Sequence, residues 1–367
     1  MVISELRDSC FCSDYGNITI TELAGELKMY LSIEGVVILE EIYAPDYNGR
    51  VIIRGLGKVI RTYFNFPQIN SLSTIELPMA LSVDLSFTSA GQTINKSQIV
   101  FYSRCSTHYT NGLSQYGFIT RYQDKKTSSS RNEFIQYYAN GQIIYIGITY
   151  LHDNATQYYE AQWITAGNNY NAISQNVSVG TIIDLLRQWK GISISTNELC
   201  YYEIFAEYNG ERVDEIRFIN DNRNFPQETH LVYFNALGFL ETLTLTGKLK
   251  HSTELGGTFA TIADEYKKID TQPVTSFELN SGHINKTVAE AIYDIISSDA
   301  IYTYSKGEII QKMVITEENM EYEQPSNRPI SITLTMRPAY TENRMFDEEI
   351  IDRPIRVFDY TFDYTFN

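Results

Sequence analysis

Short runs in which apolar and polar residues alternate dominate the chain. Leu81–Phe87 places leucine, valine, leucine and phenylalanine on one face, and Leu240–Thr246 alternates in the same way. Leu27–Ile33 is a third such run, and Gly35 separates it from the apolar stretch Val36–Leu39. Side chains of an extended chain point alternately to opposite faces, so a period of two indicates strands with one buried face. The pattern predicts a mainly β protein.

Two Asn-Gly pairs mark sharp turns between strands. Asn140-Gly141 and Asn209-Gly210 each lie between two apolar runs. A two-residue type I′ turn needs positive φ at both central residues, and Asn and Gly tolerate that conformation best. We therefore expect a β-hairpin at each pair.

Three short segments have the apolar spacing of a helix instead. The spacing i, i+3, i+4, i+7 predicts helices over residues 56–64, 182–190 and 288–297. Thr181 is the expected N-cap of the second helix, and Gly191 is its expected C-cap. Helices this short leave strands as the bulk of the structure.

The order of predicted elements repeats along the first part of the chain. Residues 15–105 and 133–220 each give strands, a short helix, and then two strands joined by a hairpin turn. The repeat predicts two tandem β-sandwich modules, which we assign to residues 1–113 and 114–228. We expect the polar stretch Asp124–Asn132 to be an exposed loop or linker near their junction.

The remaining residues, 229–367, have a different pattern. Strand patterns lie on both sides of the helix predicted over 288–297, and an acidic stretch precedes the strand predicted over 330–337. Strands packed on one helix describe a compact β-barrel or sandwich with a flanking helix. We expect this region to be a third domain.

Charge and composition narrow the classes of function. The 367 residues include 29 Lys and Arg against 45 Asp and Glu, which gives a formal charge of -16. Such a chain repels phosphate backbones, so we expect no nucleic-acid binding. No apolar run approaches the length that spans a membrane, and the N-terminus lacks a signal-peptide pattern. We expect a protein made in the cytoplasm, with its four cysteines reduced.

Candidate catalytic residues are few. The zinc-binding His-Glu-x-x-His motif, the P-loop, the dinucleotide-binding glycine motif and the serine nucleophile elbow are all missing from the sequence. His152-Asp153, at a predicted hairpin tip, has the chemistry of half a metal or acid–base site. Glu317-Glu318 offers two carboxylates, but neighbouring residues of one strand point to opposite faces. We predict a non-enzymatic protein without catalytic residues or cofactor, and carboxylates brought together by folding stay an open alternative.

Thiols and aromatic rings offer two kinds of binding chemistry. Cys10 and Cys12 have the chemistry to bind a soft metal, but small apolar thiols at a strand start more often only pack, so we predict no metal site. The chain contains 28 Tyr and 2 Trp, whose rings stack on sugars and also fill cores and interfaces. The alternative function is therefore a carbohydrate-binding or adhesin-like module that contacts a host-surface glycan.

The C-terminus repeats the sequence Phe-Asp-Tyr-Thr. In an extended chain its aromatic side chains share one face, at positions Phe358, Tyr360, Phe362, Tyr364 and Phe366. A free strand of this kind promotes aggregation unless its aromatic face is covered. Either the chain's own third domain gains a final edge strand, or a neighbouring subunit gains a strand by addition. These five residues are the candidate interaction residues.

Two stretches of the sequence resemble a known family. Phe234–Gly238, followed by Glu241–Gly247, resembles a signature of tail structural proteins from phages and prophages of Bacteroides-type bacteria. The turn and strand at Tyr43–Ile53 are similar as well. The closing pattern of one helix and two strands resembles the tail-tube-like β-barrel of distal tail and tail-hub proteins.

This resemblance implies a non-enzymatic virion protein that is assembled in the bacterial cytoplasm. The third domain would be a tail-tube-like barrel that closes a hexameric ring, with the two sandwiches projecting outward. The ring would connect the tail tube to host-facing tip proteins of the baseplate. The partners would be further copies of the chain and other tail proteins, and the resemblance carries no catalytic residue to transfer.

Overall fold

The fold is described from a computed structural model. It describes residues 1–339 with gaps at 5, 105–115, 121–123, 222, 224, 257–258, 263–264, 269–271, 285, 299 and 318–329.

The strands and helices fall into three consecutive units. Unit 1 contains β1 (Val2–Ile3), β2 (Ser9–Phe11), β3 (Ile18–Thr21), β4 (Leu27–Ile33), β5 (Val36–Tyr43), β6 (Val51–Ile53), α1 (Leu56–Arg61), β7 (Ile75–Leu77), β8 (Ala80–Ser89) and β9 (Gln92–Phe101). Unit 2 contains β10 (Asp124–Thr127), β11 (Phe134–Tyr138), β12 (Ile143–His152), β13 (Ala155–Thr165), β14 (Ala172–Asn176), α2 (Val179–Lys190), β15 (Leu199–Tyr208) and β16 (Glu211–Asn220). Unit 3 contains β17 (Thr229–Phe234), β18 (Leu240–Leu245), β19 (Leu249–Gly256), β20 (Phe259–Ile262), β21 (Glu265–Lys268), β22 (Gln272–Asn280), α3 (Lys286–Ile296), β23 (Ile301–Ser305), β24 (Glu308–Glu317) and β25 (Thr333–Pro338).

Units 1 and 2 are both two-layer β-sandwiches, which confirms the predicted fold class. In unit 1 a five-stranded sheet, β2-β9-β8-β4-β5, packs on a three-stranded sheet, β1-β3-β6. Their facing side chains, such as Ile18 and Ile20 of β3 and Leu85 and Phe87 of β8, are almost fully buried in one core. In unit 2 the five-stranded sheet β10-β16-β15-β12-β13 packs on β11-β14-β7, and α2 covers the same core. In each unit the alternating buried side chains of the two sheets therefore face each other and form the core between the layers.

The two sandwiches repeat one topology, as the order of elements predicts. In each five-stranded sheet the strand that comes first in sequence pairs in parallel with the strand that comes last, β2 with β9 and β10 with β16. The next hairpin, β4–β5 or β12–β13, occupies the other edge. In each small sheet β3–β6 or β11–β14 forms an antiparallel pair, and the short helix follows it directly. The resemblance of pattern is thus a resemblance of fold.

Among the described residues, five hairpins turn through two residues that both have positive φ, the geometry of type I′ turns. The turns are Glu34-Gly35, Ala90-Gly91, Asp153-Asn154, Asn209-Gly210 and Lys306-Gly307. The hairpin predicted at Asn209-Gly210 is confirmed, with φ of 54° and 81°.

The hairpin predicted at Asn140-Gly141 is wrong. Only Gly141 of the pair has positive φ. The strands on either side, β11 and β12, belong to different sheets. All five residues of β11 are buried, so this strand is covered on both faces. It pairs with β14 of the small sheet and not with β12.

Unit 3 is an open sheet, so the barrel predicted for it is not closed. Seven of its nine described strands follow the order β18-β17-β23-β24-β25-β22-β19, with β18 and β19 at the two edges, and β20 and β21 pair only with each other. The predicted flanking helix is confirmed, because Ala289, Ile292 and Ile295 of α3 are buried against one face of this sheet.

Part of unit 3 repeats the sandwich topology a third time. Its four neighbouring strands β18-β17-β23-β24 have the same order as β5-β4-β8-β9 and β13-β12-β15-β16. In each set two consecutive hairpins lie side by side, and the first strand of the first hairpin pairs with the first strand of the second. In all three units the helix lies between these two hairpins in sequence. The sequence pattern indicated two copies, and the third emerges from the pairing of strands alone.

The three units are joined by shared packing. The core of unit 1 extends to Val232 and Phe234 of β17 and to Tyr302 of β23. Strand β7, from unit 1, pairs antiparallel with β14 of unit 2. The division into domains 1–113, 114–228 and 229–367 stays a prediction.

Two local predictions at unit 2 are corrected. The stretch Asp124–Asn132 is not an exposed linker, because it contains β10 and because Thr127 and Arg131 are buried. Helix α2 begins one turn earlier than expected, after Ser178, and the hydroxyl of Thr181 donates to Oδ1 of Asn176 at 3.0 Å instead of capping the helix.

Candidate interaction surface

The predicted interaction strand lies outside the described residues. This applies to all five of its aromatic positions, Phe358, Tyr360, Phe362, Tyr364 and Phe366. Their role stays a prediction, and the surface described below rests on other residues.

Two pairs of residues are sequence candidates for acid–base or metal chemistry, and the structure describes the first of them completely. His152 and Asp153 lie at the tip of the β12–β13 hairpin, with Nε2 and Oδ2 3.7 Å apart and the Asp153 side chain 88% exposed. Asp153 has a φ of 51°, so its position serves the turn. Glu317 ends β24, and Glu318 lies outside the described residues.

The thiols of Cys10 and Cys12 pack with the core of unit 1. Burial raises the pKa of Cys10 to about 11 and that of Cys12 to about 12. Metal binding needs the thiolate, which these surroundings disfavour. Among the described residues, no group of three or more His, Cys, Asp or Glu side chains is placed to hold a metal ion.

One strand occupies the same edge position in each of the three units. These strands are β5, β13 and β18, each the outer strand of its unit's first hairpin. An edge strand presents backbone N–H and C=O groups on one side to any chain that can pair with them. The three edges therefore allow a comparison within one molecule.

The edge of β18 is closed by side chains of unit 2. The carbonyl of Leu240 accepts a hydrogen bond from Nε2 of Gln136 at 2.9 Å, and the N–H of the same residue donates to Oγ of Ser174 at 3.0 Å. The carbonyl of Thr242 accepts from Nζ of Lys125 at 2.9 Å. Every one of these groups is paired inside the chain, so β18 cannot accept a further strand there.

A buried ion pair holds this closure in place. Nζ of Lys125 lies 2.6 Å from Oε2 of Glu133, and their side chains are only 11% and 3% exposed. The hydroxyl of Thr242 donates to the same carboxylate at 3.3 Å. A buried charge is tolerated only when it is paired and hydrogen-bonded, so this network fixes unit 2 against unit 3.

The edges of β5 and β13 are open by comparison. No strand pairs with their outer sides within the part of the chain that the structure describes. The open edges are long, eight residues in β5 and eleven in β13. Strand β5 also exposes apolar side chains, with Val36 at 65%, Val37 at 56% and Ile42 at 57% exposure. Long, apolar edges are the kind that proteins cover or pair.

The stretch that carries the family resemblance is structural. Phe234–Gly238 forms the loop between β17 and β18, where Oδ1 of Asn235 accepts the N–H groups of Leu237 and Phe239 at 3.0 and 3.1 Å. Gly238 has a φ of +83°, and a Cβ there would lie 2.9 Å from the ring of Tyr102 in unit 1. The motif therefore shapes the junction of units 1 and 3.

A cavity of about 510 Å³ lies between units 2 and 3. Both arginines of its walls are paired within the chain: Arg131 with Glu228 at 2.7 Å and Arg223 with Asp221 at 2.5 Å. The hydrogen bond from Arg223 lowers the pKa of Asp221, so this carboxylate stays charged at neutral pH. Paired charges of this kind suit a junction between units better than the binding of a charged ligand.

Sequence reasoning missed the residues that close and open these edges. Lys125, Arg131 and Glu133 lie in or next to the stretch taken for a linker. The sequence does show charges of both signs beside apolar runs at these positions. This pattern by itself does not distinguish a buried ion pair from a solvated one.

Comparisons with known proteins give weak likenesses. No protein-family model matches the chain, and no curated protein matches its sequence. Among solved structures, extracellular domains 3-5 of Drosophila OTK are 8% identical, with 82% of this chain and 93% of that chain covered at a TM-score of 0.23. The CupB2 chaperone of Pseudomonas aeruginosa is 7% identical, with 60% of this chain and 100% of that chain covered at a TM-score of 0.17. SGBP-B of the Bacteroides ovatus mixed-linkage glucan utilization locus is 10% identical, with 90% of this chain and 94% of that chain covered at a TM-score of 0.13.

At these TM-scores the likenesses carry no argument about function. None of the described helices is long and apolar enough to cross a membrane. The feature of the described structure that bears most on function is which sheet edges are open and which are closed.

Proposed function

We propose that the chain is a non-enzymatic structural subunit that assembles with other chains by strand addition at β5 and β13. The observation that supports this most is the contrast between the edges: the equivalent strand β18 is closed by side chains, and β5 and β13 are not. Added strands would satisfy the outward backbone groups of both edges, and the exposed apolar side chains of β5 would be covered at the same time.

The assembly that fits best is a phage tail, with the chain as a distal tail or hub protein in a hexameric ring. The resemblance of Phe234–Gly247 to tail structural proteins supports the class. A body of three linked units with two open edges suits a closed ring, because each copy can offer one surface and accept another. The chain would then reside in the virion tail and contact other tail proteins.

The edge of β13 can be blocked without disturbing its inner side. In a two-residue type I′ hairpin the residues that flank the turn exchange both backbone hydrogen bonds, so His152 and Ala155 are bonded to each other. Backbone N–H groups alternate in direction along a strand, so every second residue, starting with Thr156, points its N–H away from β12. Thr156 and Gln162 are two such positions, and both are exposed. Proline at these positions removes an outward N–H and leaves the pairing with β12 intact.

The experiment compares Thr156→Pro/Gln162→Pro with Thr156→Ala/Gln162→Ala, which shortens the same side chains and keeps both N–H groups. Mass by light scattering and negative-stain imaging report assembly of the full-length chain. We expect rings or oligomers for the wild type and the alanine variant, and smaller species for the proline variant. A wild-type protein that stays monomeric at high concentration, or a proline variant that assembles normally, would refute assembly through β13.

A further inference from the structure

The outer face of the five-stranded sheet of unit 2 carries a cluster that assembly does not explain. At its centre is Gly147 of β12, whose neighbours on the adjoining strands are Glu160 of β13 and Glu203 of β15. We call this the tyrosine face and define it by Gly147, Tyr158, Glu160, Glu203, Arg212 and Arg217. The side chains before and after these positions, such as Ile146 and Ile204, point into the core.

The hydroxyl end of the Tyr158 ring lies over the backbone of Gly147, and the hydroxyl is the atom nearest to the position of a Cβ there. A Cβ atom at Gly147 would come within 2.9 Å of Cζ and 3.0 Å of Cε2 of this ring. Glycine is thus the residue that lets the ring rest on the sheet. Tyr158 is 53% exposed, so about half of this side chain is open to solvent above the sheet.

Polar groups hold the ring and its surroundings in place. The hydroxyl of Tyr158 donates to Oε2 of Glu160 at 2.6 Å, and Nε of Arg217 donates to Oε1 of Glu203 at 2.7 Å. Burial, followed by the hydrogen bond to Glu160, raises the pKa of Tyr158, so the phenol stays neutral. The guanidinium of Arg212 stacks 3.8 Å above the ring centre of Phe205. An open ring is therefore framed by two carboxylates and two guanidinium groups that are already oriented.

We propose that the tyrosine face binds a neutral oligosaccharide. A pyranose ring has one face of C–H groups, which packs on an aromatic ring, and a rim of hydroxyls, which both donate and accept hydrogen bonds. Tyr158 supplies the platform, Glu160 and Glu203 accept from hydroxyls, and Arg212 and Arg217 donate to them. The charges of the four groups at the site cancel, and the chain charge of -16 disfavours acidic sugars.

A protein partner fits this face less well than a sugar. The centres of protein interfaces are depleted of charged residues, and a protein surface pressed onto Tyr158 would strip water from four charged side chains. Sugar hydroxyls replace that water bond for bond. The face is also separate from the outer edge of β13, since side chains stand perpendicular to the direction in which strands pair, so sugar binding and assembly can occur together.

The test uses the full-length protein and a panel of neutral hexasaccharides built from glucose, mannose, galactose or xylose, with an oligogalacturonate as the acidic comparison. Isothermal titration or ligand-observed NMR measures binding. We expect at least one neutral hexasaccharide to bind. We expect Tyr158→Ala to weaken its binding by about tenfold or more, which corresponds to ~1.4 kcal/mol.

Three further variants separate stacking from general damage. Tyr158→Phe keeps the ring and should retain most of the binding. Gly147→Ala displaces the ring and should weaken binding as Tyr158→Ala does. Tyr47→Ala removes a tyrosine that is 96% exposed on a loop of unit 1 and should change nothing.

The proposal is overturned if no neutral hexasaccharide binds, if only the acidic one binds, or if Tyr158→Ala binds as well as the wild type. A Tyr158→Ala protein whose assembled mass falls would instead identify the face as a protein interface. Because sugar binding and assembled mass are measured separately, failure of this proposal leaves assembly through β13 to be judged by its own experiment.

Discussion

Removal of the Lys125 ammonium tests whether the closure of β18 stabilises the junction of units 2 and 3. In Lys125→Met the carboxylate of Glu133 keeps its 3.3 Å bond from Thr242 and loses the ammonium 2.6 Å away. The carbonyl of Thr242 loses its 2.9 Å donor as well. With side chains only 11% and 3% exposed, water cannot replace these bonds without opening the junction.

The expected cost follows from burial. Breaking a buried ion pair on one side costs about 3–5 kcal/mol, whereas an exposed pair contributes about 0–1 kcal/mol. Lys250 and Glu278 provide the matched control, since they are 3.0 Å apart with side chains 71% and 48% exposed. Lys250→Met should therefore cost no more than about 1 kcal/mol.

Denaturant unfolding and hydrogen exchange of the β18 amides measure both effects. Lys125→Met should lower the unfolding midpoint and expose the amides of β18 to exchange. Lys125→Met/Glu133→Leu should recover much of the loss, because neither charge then remains buried. If Lys125→Met costs no more than Lys250→Met, the reasoning that the pair seals the edge is refuted.

Three more predictions concern the C-terminus, pH and the thiols. Deletion of residues 356–367 should lower the assembled mass in light scattering before it lowers the melting temperature of units 1 and 2; a truncated chain that assembles normally would exclude the arm as an interface. Burial lowers the pKa of His230 in the folded state, so its contribution to stability is present above about pH 6.5 and is lost as the pH falls through the folded pKa. His230→Gln should flatten the melting temperature between pH 7 and 5, and an unchanged slope would contradict this. Because their pKa values are raised to about 11 and about 12, Cys10 and Cys12 should be alkylated at pH 8 far more slowly than in the unfolded chain, as peptide mass spectrometry can show; equal rates would place these thiols outside the core.

Local patterns were enough to predict most of the elements. The helices predicted over 56–64, 182–190 and 288–297 correspond to α1, α2 and α3, because an amphipathic helix needs only its own stripe of apolar residues to be recognised. The repeat of element order likewise predicted two sandwiches with one topology. The hairpin at Asn209-Gly210 formed because its two flanking strands belong to one sheet.

Long-range pairing decided what local patterns left undefined. Asn140-Gly141 has the same turn chemistry as Asn209-Gly210, yet its flanking strands pair with different partners, and no neighbour in sequence reveals that. The polar stretch around Lys125 looks solvated in sequence, yet the Lys125 side chain is only 11% exposed because Glu133 and Thr242 meet it from two units.

The sequence by itself therefore determined that this is a mainly β protein with repeated sandwiches, short helices and tight turns. Each of these follows from the period of side chains along a strand or helix and from the φ preferences of Gly and Asn. The tertiary structure alone decided that β18 is closed and that β5 and β13 are open, and it placed Tyr158 on Gly147. Edges and surface clusters are set by which strands become neighbours, and that depends on the packing of the whole chain.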